Sequence, residues 1–417
     1  MTELTVELDR SAVAAAGSSV TASVRVQPGM ADPDVTRHIT LCIDTSGSMS
    51  GEKMAKVREG IRWVFGYLDD DDHLSIVTFD DEVEVALPST RWGDIGLDEA
   101  DAVVDEMQAG GGTDILGGLE RAYETLADLP TGPSIGRRIL LLSDGRDERP
   151  TEAFADLARR VRREDAVSVP AAGIGEYYDE ETIRTVGTAS DAEWVHLSRA
   201  DDIENFFGRK VETLGTIVAP SPNLEVELPK HAGIGDVFLR RPQVRDANYE
   251  RVGDTVRVFL PDLLEFETQE VVFTVETPPC QAGLSFTLAD VTLNTAAETA
   301  TASAEVDCRA GASDADETVD SEITLKHLET MVRKAAGEGD LQRAETMVQQ
   351  ATGDADAGAS VGADETQIRQ TSRDLTELRA VMDAEATKEL ETVVDEASTD
   401  DLESQYETTK IADGDRE

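Results

Sequence analysis

The hydrophobic period of this chain changes twice, and that change restricts the fold more than any other feature. Residues 3–9 (ELTVELD) and 19–27 (SVTASVRVQ) alternate apolar and polar side chains, the period-2 mark of strands buried on one face. From about 36 to 217 the alternation stops. Short continuous apolar runs take over: ITLCID at 39–44, HLSIVTFD at 73–80, RRILLLSD at 137–144, AVSVPAAGIG at 166–175 and AEWVHLS at 192–198. Amphipathic stretches separate them. In 52–68, Met54, Val57, Ile61, Val64, Phe65 and Leu68 recur at helical spacing, and in 114–128, Ile115, Leu116, Leu119, Tyr123 and Leu126 do the same. Further helical segments fall near 96–107, 151–163, 179–188 and 201–216. Continuous apolar strands alternating with helices predict a doubly wound, mostly parallel sheet with helices on both faces, an α/β fold. VEVALP at 83–88 is expected to form an antiparallel edge hairpin with 73–80.

The strand period returns from 222 to 308, in LEVEL, DTVRVFL, QEVVFTVE, LSFTLADVTL and TASAEVD, with Pro and Gly between them. Short strands at this spacing predict a β-sandwich. The N-terminal strands have nothing else to pair with, so residues 1–34 are expected to join it. The α/β domain at 36–217 is then inserted in a discontinuous β domain at 222–308. An acidic linker, GASDADETVD at 311–320, leads to a helical region at 321–396. There Leu325, Leu328, Val332 and Ala336 face one way, and GEGD at 337–340 turns into a segment carrying Leu341, Ala344, Met347, Val348 and Ala351. This unit resembles a single tetratricopeptide-like hairpin. Residues 397–417 read as a polar tail.

Charge bears on partners. The chain has 417 residues and a formal net charge of −48, with arginine far outnumbering lysine. Such a surface repels nucleic acid and anionic membranes. Its self-repulsion destabilises the compact state at ordinary ionic strength, whereas molar salt shortens screening to about 3 Å. The expectation is an acidic protein adapted to a salt-rich cytoplasm. MTELTVELDR has neither a basic n-region nor an apolar h-region, so no signal peptide is expected. No stretch approaches the roughly 18 apolar residues of a membrane span. The cysteines are Cys42, Cys280 and Cys308. Cys42 lies in an apolar run and is expected to be buried, and whether Cys280 and Cys308 pair is left open by their spacing.

Chemistry concentrates in three loops. Asp44-Thr45-Ser46-Gly47-Ser48 follows one strand and opens a helix; Gly110-Gly111-Gly112-Thr113-Asp114 precedes another; Leu140-Leu141-Leu142-Ser143-Asp144-Gly145 ends a third apolar run. In an open parallel sheet, binding residues gather at the carboxyl ends of the strands. Asp44 and Asp144 both end strands and Thr113 starts the helix beside them. Carboxylates and hydroxyls together suit a hard divalent cation. Two neutral serine hydroxyls leave such an ion short of negative charge, so it keeps a position for an external carboxylate. Helix N-cap preferences account for one such loop but poorly for three. Asp114 either caps its helix or stands behind the ligands.

CIDTSGSMSGEKM, GGGTDILGGLERA and RRILLLSDG resemble the von Willebrand factor A family with its metal-ion-dependent adhesion site. The likeness covers roughly 36–217. Carried over position by position, it implies metal ligation by Asp44, Ser46, Ser48, Thr113 and Asp144, with Mg²⁺ as the cofactor and Mn²⁺ or Ca²⁺ also compatible with oxygen donors. It further implies a binding module that takes an Asp or Glu side chain from a protein partner, within an intracellular assembly, for instance a ring ATPase or its substrate. The alternatives are an assembly protein whose metal only stabilises the fold, and a Mg²⁺-dependent hydrolase. No P-loop lysine motif, nucleophile elbow or histidine lies near the loops, so no enzyme is expected.

Other residues read as structural. Asp69, Asp70, Asp71 and Asp72 are expected in a solvated turn. Tyr177, Tyr178 and Asp179 shape a rim groove or simply pack their loop. Arg159, Arg160, Arg162 and Arg163 are expected on a salt-bridged helix face. Trp63, Trp92 and Trp194 are expected in or near the core. His38, His73, His196, His231 and His327 show no ligand spacing.

Overall fold

A computed structural model describes residues 2–30 and 35–311, except 133 and 176, together with 323, 326, 327, 330, 331, 334 and 335. Its central sheet runs in the order Trp194–Leu197, Ala171–Ile174, Ile135–Ser143, Thr36–Asp44, His73–Phe79, Val83–Arg91. All neighbours are parallel except the last, an antiparallel edge strand, as the sequence predicts. Pro170 cannot donate to a ladder, and the expected 166–175 strand is accordingly split into Val167–Ser168 and Ala171–Ile174. Six helices flank the sheet: α1 (Glu52–Phe65), α2 (Leu97–Glu106), α3 (Ile115–Ala127), α4 (Thr151–Asp165), α5 (Glu180–Ala189) and α6 (Asp202–Glu212).

The continuous apolar strands are explained by burial on both faces. Ile39, Leu41 and Ile43 of the central strand join one core with α1, α2 and α6, while the alternate Cys42 joins a second core with α3, α4 and α5. Leu140 and Leu142 go to the first core, Ile139 and Leu141 to the second. Trp63 departs from expectation: it is 49% exposed on the outer side of α1. Asp72 departs the other way. It is 1% exposed and accepts the Arg37 and Asp69 N–H groups at 2.7 Å each, with Arg37 Nε at 2.8 Å. Its carboxylate is thus part of the sheet's base, while Asp69, Asp70 and Asp71 are exposed.

Two further sheets share a third core. One has the order Glu3–Leu8, Ser19–Gln27, Gln269–Glu276, Gly233–Arg241, Arg245–Asp246. The other runs Tyr249–Val252, Thr255–Phe259, Asn223–Glu227, Ser285–Asn294, Thr299–Arg309, Ala12–Ala14. Val20, Val24 and Phe273 of the first meet Leu224, Val258, Leu288 and Val291 of the second. The N-terminal segment supplies two strands to the first sheet and one to the edge of the second, so strands from before and after the α/β domain are hydrogen-bonded together. Strands Gly233–Arg241 and Tyr249–Val252 have no counterpart among the sequence expectations. The first opens Gly-Ile-Gly, a poor strand former, and its ladder carries register shifts. Cys280 and Cys308 are disulfide-bonded, and Cys42 is a buried free thiol. Beyond 311, the described residues from Ile323 to Ala335 are helical. Lys326 reaches Glu270 at 3.4 Å and Lys334 reaches Asp246 at 2.8 Å. The expected apolar positions Leu325, Leu328 and Val332, and everything from 336 onward, lie outside the described residues.

The four arginines of α4 do not form one salt-bridged face. Arg159 pairs with Glu152 and Asp156, and Arg160 and Arg163 stack over Tyr123 and Phe259. Arg162 is 2% exposed and crosses into the β domain, donating to Asp262 Oδ1 and the Leu260 carbonyl at 2.8 Å each. Arg138 lies 3.7 Å from the same carboxylate. Arg245 and Asn248 return the contact, both reaching the Thr188 carbonyl and Asp191. Burial alone would raise the Asp262 carboxyl, but Arg162 and Arg138 outweigh it and hold it below its usual range. Removing one partner of such a group strands the rest without compensation. Asp262→Ala is therefore expected to cost on the order of 3–5 kcal/mol in urea denaturation, and more than the exposed-pair variant Asp71→Ala, which should cost at most about 1 kcal/mol.

Candidate functional site

Parallel pairing of Ile43 with Leu142 brings the ends of two strands side by side, so Asp44 and the Ser143–Asp144 pair leave the sheet together. The loop after Asp44 turns at once into a single 3-10 turn (Gly47–Met49) before α1. The glycine loop is tied to it by backbone: Gly110 N–H donates to the Thr45 carbonyl at 2.7 Å, and Gly47 N–H to the Gly111 carbonyl at 3.1 Å. Gly111 has φ +72, a conformation costly for a residue with a Cβ. Thr113 stands against Gly145, where an added Cβ would lie 2.4 Å from Thr113 Oγ1.

The five residues singled out from the sequence thus belong to one place. Ser48 Oγ donates to Asp144 Oδ1 at 2.6 Å, Ser46 Oγ lies 3.5 Å from the same oxygen, and the two serine hydroxyls are 3.1 Å apart. Asp44 Oδ1 accepts the Ser46 N–H at 2.7 Å and Asp44 Oδ2 accepts the Ser143 hydroxyl. Asp44 and Ser46 are buried while Ser48 is exposed, so the group opens to solvent on the serine side. Burial raises the Asp44 carboxyl above its usual range; hydrogen bonds from Ser143 and Ser46 oppose this, and the neighbouring Asp144 charge adds to it. Two carboxylates held this way favour a counter-cation.

The donor set is chemically suited to a small hard ion. In an octahedron with bonds of about 2.0–2.1 Å, adjacent oxygens lie roughly 2.9 Å apart. The serine and Asp144 oxygens are spaced at 2.6, 3.1 and 3.5 Å, which brackets that value. Among the described residues no group of three or more His, Cys, Asp or Glu is placed to hold a metal ion, so an ion at this place would need the hydroxyls as donors.

Asp114 acts as a cap: its Oδ1 accepts the Gly117 N–H at 2.7 Å and meets Arg149 at 2.6 Å. Of the rim residues, Tyr178 is buried and stacks on His196, whereas Tyr177 is 79% exposed. Asp179 caps α5, and its N–H donates to the Gly145 carbonyl at 3.1 Å, tying that rim to the Asp144 loop. Sequence reasoning assigned no role to Ser143 or Lys53. Ser143 precedes Asp144 and bonds Asp44. Lys53 lies within the GEKM of the first motif, and its ammonium contacts Asp144 Oδ2. Only the fold brings either partner within reach.

A doubly wound α/β domain with carboxylates and hydroxyls at the carboxyl edge of its sheet defines the class. Residues 38–209 match the model of the von Willebrand factor type A domain, and the α/β domain has that fold. Domains of this family are protein-interaction modules. A von Willebrand factor type A structure from Catenulispora acidiphila superposes with a TM-score of 0.71 at 18% identity, covering 88% of this chain and 89% of that one. The ArnB paralog VWA2 from Sulfolobus acidocaldarius gives 0.56 at 16% identity over 91% and 98%. Coverage this wide extends the shared fold beyond the α/β domain. An uncharacterised protein of Synechocystis is 21% identical over 230 residues; the match spans 54% of this chain and about half the relative's length, 54%.

Gly145 has room for a hydrogen and no more. Gly145→Ala is expected to displace Thr113 and cost about 1–3 kcal/mol in urea denaturation. Gly96→Ala, where nothing lies within 4 Å of the added Cβ, should cost under about 1 kcal/mol.

Proposed function

We propose that Asp44, Ser46, Ser48, Thr113 and Asp144 hold a divalent cation, Mg²⁺ first, and that the solvent-facing side of this group captures an acidic side chain of a protein partner. The observation that carries this reading is the shared contact of both serine hydroxyls with Asp144 Oδ1, across 96 and 98 residues of sequence. The bound ion would supply positive charge to a partner carboxylate. The protein's own residues do the rest. Asp44 and Asp144 provide the two negative charges, the serines provide neutral oxygens, and the backbone ties at Thr45 and Gly47 fix the loops. The exposed Tyr177 ring offers apolar contact on the same rim. The role proposed is binding rather than catalysis: Cys42, the thiol two residues before Asp44, is buried in the core and is not open to a ligand.

Assembly with a ring ATPase or its substrate, the partner class that the sequence resemblance implies, remains part of the proposal. No helix among the described residues is long and apolar enough to cross a membrane. The acidic surface is proposed as an adaptation to salt. A cytoplasmic compartment is in tension with the Cys280–Cys308 bond, a feature of oxidising surroundings, so the salt adaptation is proposed without it.

Two measurements test this reading. Immobilised chain, at high salt and with Mg²⁺, should retain a protein partner from the native host that elutes on chelation, and Asp44→Ala should retain none. Retention indifferent to EDTA would overturn the adhesion reading; a melting temperature that falls with EDTA while retention is unchanged would favour the purely structural metal. Separately, the melting temperature should rise by several degrees between about 0.1 M and 1 M KCl as screening shortens. A flat or falling curve argues against salt adaptation.

A further inference from the structure

Lys53 is oddly placed for a lysine. It sits in the first turn of α1, where the helix dipole disfavours a cation. What offsets this is Asp144. The Lys53 ammonium contacts Asp144 Oδ2, while Oδ1 of the same carboxylate faces the Ser46 and Ser48 hydroxyls. The ammonium also stands over Gly175, where an added Cβ would come within 3.6 Å of Nζ. Gly175 closes the strand Ala171–Ile174 and leads toward the rim of Tyr177 and Tyr178. Asp144 therefore has one oxygen for the candidate ion and one already committed to a fixed positive charge. The nearby Asp114 and Asp147 have their own cation in Arg149, at 2.6 and 3.7 Å.

We infer that Lys53 is a specificity-determining residue. It offsets the charge of Asp144, so that a divalent cation held there keeps a positive excess which only an anionic ligand completes. The inference rests on the metal reading above and deepens it: besides the two neutral serine hydroxyls, Lys53 is a second cause of the charge deficit that an outside carboxylate fills. Lys53 weakens the metal's hold on the protein and strengthens its hold on the ligand. A lysine that merely oriented Asp144 would do the reverse, since its loss would loosen a metal ligand.

The test uses the full chain with Mn²⁺ as a paramagnetic probe and acetate as the carboxylate probe. Lys53 is 31% exposed, and circular dichroism checks that each variant is folded. Lys53→Met is expected to bind Mn²⁺ about tenfold more tightly than wild type, and Lys53→Arg, which keeps the charge, should match wild type. Acetate should tighten Mn²⁺ binding in wild type and do so less in Lys53→Met, as reciprocal linkage requires. Lys53→Gln repeats the test should the Met variant misfold. Mn²⁺ binding to Lys53→Met or Lys53→Gln that is no tighter than wild type overturns the inference while leaving the metal site standing. Wild type that binds no Mn²⁺ overturns the metal reading, and this inference falls with it.

Discussion

The parallel register of Ile43 on Leu142 is the constraint from which the rest of the site follows. A strand buried on both faces has no freedom to slip. A one-residue shift would exchange the side chains assigned to the two cores and move Asp44 away from Asp144. Leu41–Ile43 of one strand and Ile139–Leu142 of the other are apolar up to the sheet edge, so the polar residues that follow each run emerge together where the sheet stops. Backbone satisfaction then completes the arrangement. The amides of Gly47 and Gly110 would be left short of partners near the sheet edge, and each finds a carbonyl in the opposite loop. Side chains do not draw these loops together; the backbone does, and the hydroxyls arrive with it.

Much of this was legible in the sequence because the signals were periodic. Continuous apolar runs between amphipathic helices gave the doubly wound sheet, and the return to period 2 gave the sandwich strands. The three polar loops stood out because each interrupts a strong apolar pattern. What stayed hidden depends on partners remote in sequence. Nothing local distinguishes the buried Asp72 from its exposed neighbours Asp69 and Asp71; the difference is Arg37, 35 residues away. Arg162 looks like its neighbours on α4 until Asp262 is placed beside it. The strand Gly233–Arg241 was invisible because its opening glycines carry no strand propensity and its pairing is bulged.

Asp44 and Asp144 illustrate how a site can be stable and still want a ligand. Asp44 is buried with a hydrogen-bond donor on each oxygen, so the fold tolerates it. Its carboxyl is nonetheless displaced upward by desolvation and by Asp144. On the proposed reading a cation would relieve both effects at once, which would couple metal binding to the stability of the strand ends. The hydroxyls of Ser46 and Ser48 add oxygen without adding charge. They would let a hard ion sit here, as proposed, without the deep neutralisation of an all-carboxylate cage.

The strand Ile135–Ser143 also carries the opposite end of the design. Arg138, near its start, reaches Asp262 of the β domain and the Lys210 carbonyl at the end of α6, whereas Asp144 follows its last residue. Six residues of extended chain place these two about 20 Å apart. The junction with the sandwich and the serine loop are therefore at opposite ends of one rigid element. The β domain can anchor the α/β domain firmly, through buried Arg162 and Arg138, without covering the edge that faces solvent. It follows that weakening the junction and emptying the site should be separable, because the strand that connects them is held by its own cores on both faces.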